Sequence, residues 1–521
     1  MRFIGTICGP LLIGLLLILQ AQADVRGPQV IYEIFTRSFQ DSNGDGIGDL
    51  DGVRSRLDYI SSLGADAIWL TPIFPSPSYH GYDIADYQSI KSEYGDLSAL
   101  SNLIADAHQR GIRVFLDVAV NHTSTQHSWF ANHDLYLWSP NPQHWPNITL
   151  KHRESPEDHW HLLDGAYYFS SFTADMADLN WRNPEVLQKI EDVFNYWTSI
   201  GVDGFRLDAA KYLVKGPSGE QNQPETHEIW KQIVASVRQN NPSAYFVGEV
   251  WDSSDNIASY YGSGDELDAA FDFPVEDAIR NSISSGNASA MVSALGDQLN
   301  NQRDPFFAAP FAGNHDLDRL ASVLGQDLAK QKLAALAVLT LPGTPVIYYG
   351  DEIGIPQGGD QQSPGDLAKR TPMIWSADEG HGFSSNAPWN SFSTEQDGIS
   401  VGAQDQDPQS LLNTYRTLIA NRKATPALSD GVLSDITPIG SSGVSYVRTA
   451  PDGSHVAIVL NFGSQAMPTQ ILSLRSQRRR EPLDPKVIYG KARVSLSSSR
   501  GAVAGLLISG LGPKQGLIIR F

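Results

Sequence analysis

Residues 204–208 read GFRLD, an apolar run with the composition of a buried strand that stops at a carboxylate. Two later stretches have the same form, FVGEVW at 246–251 and FAGNHD at 311–316. A single Asp or Glu after a strand is usually a helix cap or a solvated loop charge. Three of them, with an Arg two residues before the first and a His directly before the third, predict instead that the carboxylates meet in one site.

The rest of the chain alternates strand-like and helix-like stretches around these runs. The strand candidates are residues 30–39, 67–74, 113–122, 204–209, 244–250, 267–273, 310–315 and 344–349. Helical patterns between them cover residues 97–110, 184–200, 225–239 and 328–339. Buried strands that alternate with helices predict an α/β fold, a parallel (β/α)₈ TIM barrel, in which active sites form at the C-terminal ends of the strands.

Two segments depart from this alternation. Residues 123–176 are rich in His, Trp, Tyr, Pro and Asn without a helical period, so we expect an inserted domain after the third strand. Residues 425–521 show short alternating runs separated by Gly- and Ser-rich turns, which predict a C-terminal antiparallel β-sandwich. The barrel itself is then expected to comprise residues 24–122 and 177–424.

The net charge of the chain indicates which classes of binding partner to expect. The 521-residue chain has a formal net charge of −20 and a sequence pI near 5.0. A nucleic-acid partner requires a basic face, so we expect none. A neutral substrate is compatible with this charge.

Residues 1–23 have the pattern of an export signal. Arg2 precedes an apolar run at residues 11–19 and an Ala-Gln-Ala cleavage site at 21–23. We expect a protein exported to the periplasm or the medium, with no stable membrane anchor after cleavage; an uncleaved anchor is the alternative. The one cysteine, Cys8, lies inside this signal, so the mature chain would contain no disulfide.

Near the start of the expected mature chain, residues 41–49 read DSNGDGIGD. Oxygen-bearing side chains alternate with glycines, as in loops that wrap around a hard cation. We predict a calcium site, with magnesium as a possible substitute, formed by Asp41, Asn43, Asp45, the backbone carbonyl of Ile47, and Asp49. The alternative is a polar turn without an ion.

From about Val30 to the C-terminus, the chain resembles the α-amylase superfamily of glycoside hydrolases. Four motifs carry the resemblance: DVAVNH at 117–122, the run ending at Asp208, the run containing Glu249, and NHD at 314–316. The stretch MADLN at 176–180 resembles a motif of members intermediate between oligo-1,6-glucosidases and neopullulanases, and PSYHGYD at 77–83 and LPGTP at 341–345 are most similar to exported bacterial α-amylases of that group. The resemblance implies a barrel, an inserted domain and a C-terminal sandwich.

The resemblance also implies a division of labour among the three carboxylates. Asp208 would be the nucleophile, Glu249 the general acid/base, and Asp316 a third carboxylate that holds sugar hydroxyls. A retaining glycosidase needs one ionised carboxylate to attack the anomeric carbon and one protonated carboxyl to protonate the leaving oxygen. Arg206 lies on the same side of its strand as Asp208, and we expect its charge to keep Asp208 ionised.

Family resemblance assigns substrate contacts as well. Tyr82 would lie under the first sugar, Asp83 near its outer hydroxyls, and His122 and His315 around the cleaved sugar, with Arg206 beside them. In related exo-acting glucosidases, an Arg pairs with the equivalent of Asp83 and closes the pocket. Residues 405–408, where such an Arg is expected, contain none.

Together these observations predict a retaining α-amylase that cuts α-1,4 bonds in starch or maltooligosaccharides and acts as a monomer. Ala209, a small residue after the expected nucleophile, is similar to α-1,4-acting members. An exo-acting α-glucosidase of the maltase or oligo-1,6-glucosidase type is the nearest alternative, and a transglycosylase is the third. A non-catalytic interaction subunit of the same fold is the remote one.

Overall fold

The structure is a computed structural model that describes residues 27–145, 147–148, 159–301, 307–358, 365–393, 398–473, 484–499 and 502–521. The expected signal at residues 1–23 and its Cys8 lie outside the described residues. No described helix is long and apolar enough to cross a membrane.

The strands before the C-terminal module are, in chain order, β1 (Ile31–Ile34), β2 (Ala67–Leu70), β3 (Arg113–Ala119), β4 (His122–Ser124), β5 (Trp138–Ser139), β6 (Trp160–Leu163), β7 (Ala166–Phe169), β8 (Met176–Asp178), β9 (Gly204–Asp208), β10 (Tyr245–Gly248), β11 (Ala269–Phe271), β12 (Ala308–Ala309) and β13 (Val346–Tyr348). Eight of them form one parallel sheet in the order β12-β11-β10-β9-β3-β2-β1-β13. The predicted (β/α)₈ barrel is confirmed.

The helices, in chain order, are α1 (Leu50–Ser55), α2 (Leu57–Leu63), α3 (Leu97–Gln109), α4 (Pro184–Ile200), α5 (Pro224–Asn240), α6 (Ser254–Ser259), α7 (Phe273–Ser285), α8 (Ser289–Asn301), α9 (Leu320–Val323), α10 (Leu328–Thr340), α11 (Val401–Asp405), α12 (Leu411–Ala424) and α13 (Pro426–Ser429). The sequence specifies the ends of α4 clearly. The side chain of Asn183 accepts a hydrogen bond from the N–H of Glu185, Pro184 occupies the first turn, and Gly201 ends the helix with a φ of +113°.

The seventh barrel strand differs from the expectation. The sequence predicts it at residues 310–315, but β12 covers only Ala308–Ala309, and Pro310, which follows, has no N–H to donate to a neighbouring strand. β12 lies at one edge of the sheet and is joined to β13, the last barrel strand. The joining hydrogen bonds run from Thr344 N–H to Ala308 O (2.7 Å) and from Val346 N–H to Pro310 O (2.9 Å). Residues 311–316 therefore form a buried loop rather than a strand.

The segment between β3 and α4 rises from the barrel as small antiparallel sheets. Strands β4 and β8 pair at its base, and β5, β7 and β6 form a three-stranded sheet beyond them. The ring of Phe130 packs against those of Tyr136, Trp138 and Tyr168, which gives the segment an aromatic core. This segment stands beside the strand ends from which the three carboxylates extend.

The C-terminal module is an antiparallel sandwich. Its strands are β14 (Val432–Ile439), β15 (Gly443–Thr449), β16 (His455–Asn461), β17 (Gln470–Ser473), β18 (Lys486–Tyr489), β19 (Arg493–Ser499), β20 (Ala502–Ser509) and β21 (Gln515–Arg520). They form a sheet β14-β15-β16-β21-β18 and a sheet β17-β20-β19. On β16, Ala457 and Val459 point between the two sheets while Ile458 and Leu460 pack toward the barrel, as the period of two requires.

Two fully buried arginines bind the end of α10 at this boundary. Arg448 donates to the carbonyls of Thr340 (2.9 Å), Leu341 (2.8 Å) and Gly431 (2.7 and 2.9 Å), and Arg422 donates to Leu339 (3.0 Å) and Leu341 (2.8 Å). The last carbonyls of a helix have no partner within the helix and carry its partial negative charge. The guanidinium groups supply both the missing donors and the opposite charge.

We predict that Arg448→Met lowers the free energy of unfolding by about 2–4 kcal/mol, because buried carbonyls lose their donors. Urea denaturation of the purified chain measures the loss. Arg520→Met on the exposed end of β21 is the matched control, and its effect should stay within about 0.5 kcal/mol. Equal stability of the two variants would contradict a role for Arg448 at the domain boundary.

Candidate active site

The guanidinium of Arg206 is the centre of the site. Arg206 is on β9 and is only 1% exposed. It donates from Nη1 to Asp117 Oδ1 (2.9 Å) and Asp208 Oδ1 (2.8 Å), and from Nη2 to Glu249 Oε2 (2.6 Å). Strands β3, β9 and β10 are adjacent, and Arg206 is in register with Asp117. The sheet register therefore brings together three carboxylates that are far apart in sequence.

Burial raises the pKa values of all three of these carboxylates. Burial raises the pKa of Asp208 to about 6 although Arg206 favours its charged form, and Asp117 and Asp316 add to the rise. Burial likewise raises the pKa of Glu249 to about 7, against the effect of Arg206. We expected Arg206 to hold Asp208 ionised; it does favour the charged form, but burial outweighs it. Both carboxyls therefore keep their protons to a higher pH than an ordinary carboxyl does.

Asp316, the third carboxylate expected from the sequence, has a lowered pKa instead. Burial alone would raise the pKa of Asp316, but the charges of His315, Arg370 and Arg206 hold it well below its usual range. Arg370 Nη2 donates to Asp316 Oδ1 at 2.9 Å, and His315 Nε2 lies 3.1 Å from Asp316 Oδ2. Asp316 is thus ionised under conditions in which Glu249 is half protonated.

The backbone is strained directly after Asp208. Ala209 has a φ of +48° and a ψ of +38°, the left-handed region that non-glycine residues rarely occupy. In this conformation its N–H donates to Glu249 Oε2 at 3.1 Å. The turn therefore links the end of β9 to the carboxylate that follows β10.

A cavity of about 480 Å³ opens over these groups, a volume in the range of small-molecule sites. It is lined by His80, Tyr82, His122, Phe172, Met176, Asp208, Ala209, Tyr212, Glu249, Trp251, Asp316, Asp366 and Arg370. Polar groups converge at its floor, while Phe172 and Met176 of the inserted segment contribute to one wall. Trp251 is 51% exposed and stacks on Phe273, with ring centroids 4.5 Å apart and planes 6° apart.

Most residues expected from the sequence meet here. Tyr82, His122, Asp208, Glu249 and Asp316 line the cavity. Arg206 and His315 lie directly beneath it and hydrogen-bond to its lining residues.

Asp83 is placed differently. It is fully buried, does not line the cavity, and accepts hydrogen bonds from the hydroxyls of Ser76 and Ser78. Its expected contact with a sugar stays a prediction.

Asp117, Trp251 and Arg370 are among the residues of the site that were not singled out from the sequence. Asp117 is the first residue of the 117–122 motif, so the motif could have indicated that it lies in the site beside Arg206. Trp251 follows Glu249 by two residues. Arg370 gave no local signal, because its contact with Asp316 spans 54 positions and it lies outside the 405–408 stretch where an Arg was expected.

The 41–49 loop lies outside the cavity. Asp41 accepts hydrogen bonds from the N–H groups of Gly44 (2.7 Å) and Gly46 (2.8 Å), and Asp49 accepts from Gly52 (2.7 Å). Gly46 has a φ of +89°, and a Cβ there would lie 2.2 Å from the carbonyl oxygen of Ala387. The turn therefore requires glycine at this position.

The loop's oxygens fit calcium by type, since carboxylate, amide and carbonyl oxygens are its preferred ligands. In the structure, however, several of these oxygens accept hydrogen bonds from backbone N–H groups. Asn43 accepts from Asp45, and Asp45 accepts from Ile47 (2.8 Å each). Within the described ranges, no group of three or more His, Cys, Asp or Glu side chains is placed to hold a metal ion. Calcium binding by the loop stays a prediction.

Comparison with known proteins agrees with this geometry. A sequence model of the α-amylase catalytic domain matches residues 33–431. Alpha-amylase 3 of Dictyoglomus thermophilum is 34% identical over 484 residues, which cover 88% of this chain and 91% of the relative. Trehalose synthase/amylase TreS of Mycolicibacterium smegmatis is 32% identical over 474 residues, covering 80% and 79%.

Solved structures give the same relationship. The crystal structure of alpha-amylase from H. orenii superposes with a TM-score of 0.78 at 30% identity, covering 94% of this chain and 99% of that one. The family match extends from β1 to the end of the barrel and includes the three carboxylates and Arg206. The chain therefore belongs to the α-amylase family of glycoside hydrolases.

Proposed function

We propose that this protein is a retaining α-amylase that cleaves α-1,4-glucosidic bonds in starch or maltooligosaccharides. The observation that carries the proposal is the pair of carboxyls on one guanidinium, Asp208 and Glu249, whose pKa values are raised to about 6 and about 7. A retaining glycosidase needs this order, because the nucleophile must be ionised while the acid still holds its proton.

In the proposed first step, an oxygen of Asp208 attacks the anomeric carbon as the glycosidic bond breaks. Glu249 gives its proton to the leaving sugar oxygen, so that a neutral hydroxyl departs. In the second step, Glu249 takes a proton from water, and that water displaces Asp208 from the anomeric carbon. The net configuration is retained. Asp316, held ionised by His315 and Arg370, would bind hydroxyls of the distorted ring.

The endo-acting preference is supported by the surroundings of Asp83 and by the exposure of Trp251. Asp83 is enclosed by Ser76 and Ser78, and no described arginine bonds to it. Trp251 presents half of its surface at the rim on the Glu249 side, where a leaving chain would extend.

An exo-acting α-glucosidase is the second candidate, and Arg370 is the observation that favours it. This residue lines the cavity and donates hydrogen bonds to Asp316 and Asp366 at 2.9 and 3.2 Å, and such an arginine would close the pocket of an exo-acting enzyme. Transfer of the glycosyl group to a second sugar is a third outcome of the same intermediate.

The pH dependence of kcat/KM follows from the two raised pKa values. Activity requires Asp208 without its proton, so it should fall as the pH drops below about 6. It also requires Glu249 with its proton, so it should fall as the pH rises above about 7. We predict a narrow bell-shaped profile with an optimum near pH 6.5, measured on a maltooligosaccharide that carries no ionisable group.

A buried glutamate elsewhere in the barrel provides a matched control for this profile. Glu276 has its pKa raised to about 7 by burial but bonds to Arg280, away from the cavity. Glu249→Gln should lose 10²- to 10⁴-fold in kcat together with the alkaline limb, whereas Glu276→Gln should keep the profile. An alkaline limb that persists in Glu249→Gln would remove this residue from the acid/base role.

The products formed early test the preferred substrate. We predict that the purified chain releases mixed maltooligosaccharides from soluble starch, with the α-anomer formed first, and cleaves maltose slowly. Chromatography by chain length and NMR of the anomeric protons provide the readout, with Asp208→Asn as the inactive blank. Rapid release of glucose from maltose with little attack on starch would replace the α-amylase proposal with the α-glucosidase one.

We also propose that the protein is exported and that the 41–49 loop binds calcium. The cleavable signal pattern at residues 1–23 supports export, and the oxygen-rich sequence of the loop supports the metal. The ion would stabilise the loop at the start of α1 and would take no part in bond cleavage, since the loop does not line the cavity.

Removal of calcium should lower the melting temperature. A ligand present at 100 times its Kd stabilises the folded state by about 2.7 kcal/mol, and that contribution disappears in chelator. Asp45→Asn keeps the acceptor for Ile47 N–H but removes a charge, so chelator should shift this variant less. Asp452→Asn, which also keeps its turn with Ser454, should respond like the wild type. No chelator effect on the wild-type chain would argue for an empty loop.

A further inference from the structure

A buried glutamate lies directly behind the cavity. Glu33 is on β1 with its side chain fully excluded from solvent, and it does not line the cavity. Its Oε1 lies 2.6 Å from His315 Nδ1 and accepts the backbone N–H of His315 at 3.2 Å. Glu33 therefore contacts a residue of the site without reaching the substrate.

The hydrogen bonds around His315 specify where its protons are. Nδ1 faces the carboxylate of Glu33, which accepts, so Nδ1 carries a hydrogen. Nε2 lies 2.6 Å from Tyr82 Oη and 3.1 Å from Asp316 Oδ2. The one hydroxyl hydrogen of Tyr82 is donated to Asp117 Oδ2 at 2.9 Å, so Oη can only accept from Nε2. Acceptor atoms therefore face both ring nitrogens, an arrangement that an imidazolium satisfies.

The charges around His315 agree with this state. Asp316 lies on the same loop as His315, Glu33 lies on β1 and Asp117 lies on β3. Arg370 donates a hydrogen bond to the backbone oxygen of His315 at 3.0 Å. Burial alone would lower the pKa of His315, but Asp316 and Glu33 raise it to about 10.

Other ionisable groups face the members of this cluster. Arg206 contacts Tyr82 at 3.3 Å, and burial together with the charges of Glu352 and Glu33 raises the pKa of Asp351. Of the carboxylates that contact the His315 ring, Glu33 is the one without a proposed contact to the substrate.

We propose that Glu33 is a positioning residue that keeps His315 as an imidazolium across the working pH range. With two protons, Nε2 always donates toward Tyr82 and Asp316, so the ring of Tyr82 and the carboxylate of Asp316 keep their places at the cavity floor. A neutral imidazole would leave one nitrogen without a hydrogen and would lose either the hydrogen bond from Nδ1 to Glu33 or the donation from Nε2. This inference rests on the proposed function only for its effect on catalysis.

The charge state can be measured without turnover. In wild-type protein with ¹³C-labelled histidine, the His315 ring signal is assigned by its absence in His315→Asn. We expect it to keep the imidazolium chemical shift between about pH 6 and pH 9, above the ordinary histidine pKa of about 6.5. A signal that titrates below pH 8, or that is neutral throughout, overturns the proposal. Failure here leaves the glycosidase reaction unaffected, so the two proposals can fail separately.

Catalysis gives the second readout. In Glu33→Gln, the amide still accepts from Nδ1 but supplies no charge, so His315 should lose a proton in the working range. We expect kcat/KM at pH 7 to fall at least tenfold, and the alkaline limb to steepen from the loss of one proton to the loss of two.

The matched control is Glu352→Gln. This glutamate is equally buried and accepts from the hydroxyls of Tyr32 and Tyr59, away from the cavity. It should keep the wild-type shape of the profile. If Glu33→Gln keeps that shape with kcat/KM within twofold of wild type, the proposal is wrong; if Glu33→Gln does not fold, the wild-type NMR measurement decides.

Discussion

The guanidinium of Arg206 is almost completely removed from water, and a charge in such a place is stable only when anions and acceptors surround it. Asp117, Asp208 and Glu249 supply those anions from three adjacent strands. The same contacts fix the two proposed catalytic carboxyls relative to each other. Stability of the barrel core and geometry of the site therefore depend on one set of hydrogen bonds.

Residues around the Arg206 cluster connect it to the rest of the cavity. The left-handed turn at Ala209 ties the end of β9 to Glu249, and the loop after Pro310 brings His315 and Asp316 to the other side of the cavity. His315 then connects Tyr82 at the cavity floor to Glu33 behind it. Each carboxyl consequently has a different electrostatic environment, which is why the pKa of Asp316 is lowered while those of Asp208 and Glu249 are raised.

The sequence predicts the strand ends well because the apolar runs and their terminal carboxylates are local signals. It fails at the seventh strand, where residues 310–315 look β-prone but the strand covers only Ala308–Ala309 and Pro310 has no N–H to donate. It also cannot supply Arg370 or Glu33, whose partners Asp316 and His315 lie 54 and 282 positions away. The raised pKa of Asp208 needs the structure too, since the adjacent Arg206 is visible in the sequence and the burial that outweighs it is not.

The central claim is that Asp208, oriented by Arg206, forms a covalent bond to the sugar. The most direct test is mass spectrometry of the chain after reaction with a fluorinated α-glucosyl fluoride that slows hydrolysis of the intermediate, followed by peptide mapping. The account predicts one glycosyl unit attached to the peptide that contains Asp208, absent in Asp208→Asn. An unmodified chain whose first product is the β-anomer would contradict it, because a water molecule and not Asp208 would then have attacked the anomeric carbon.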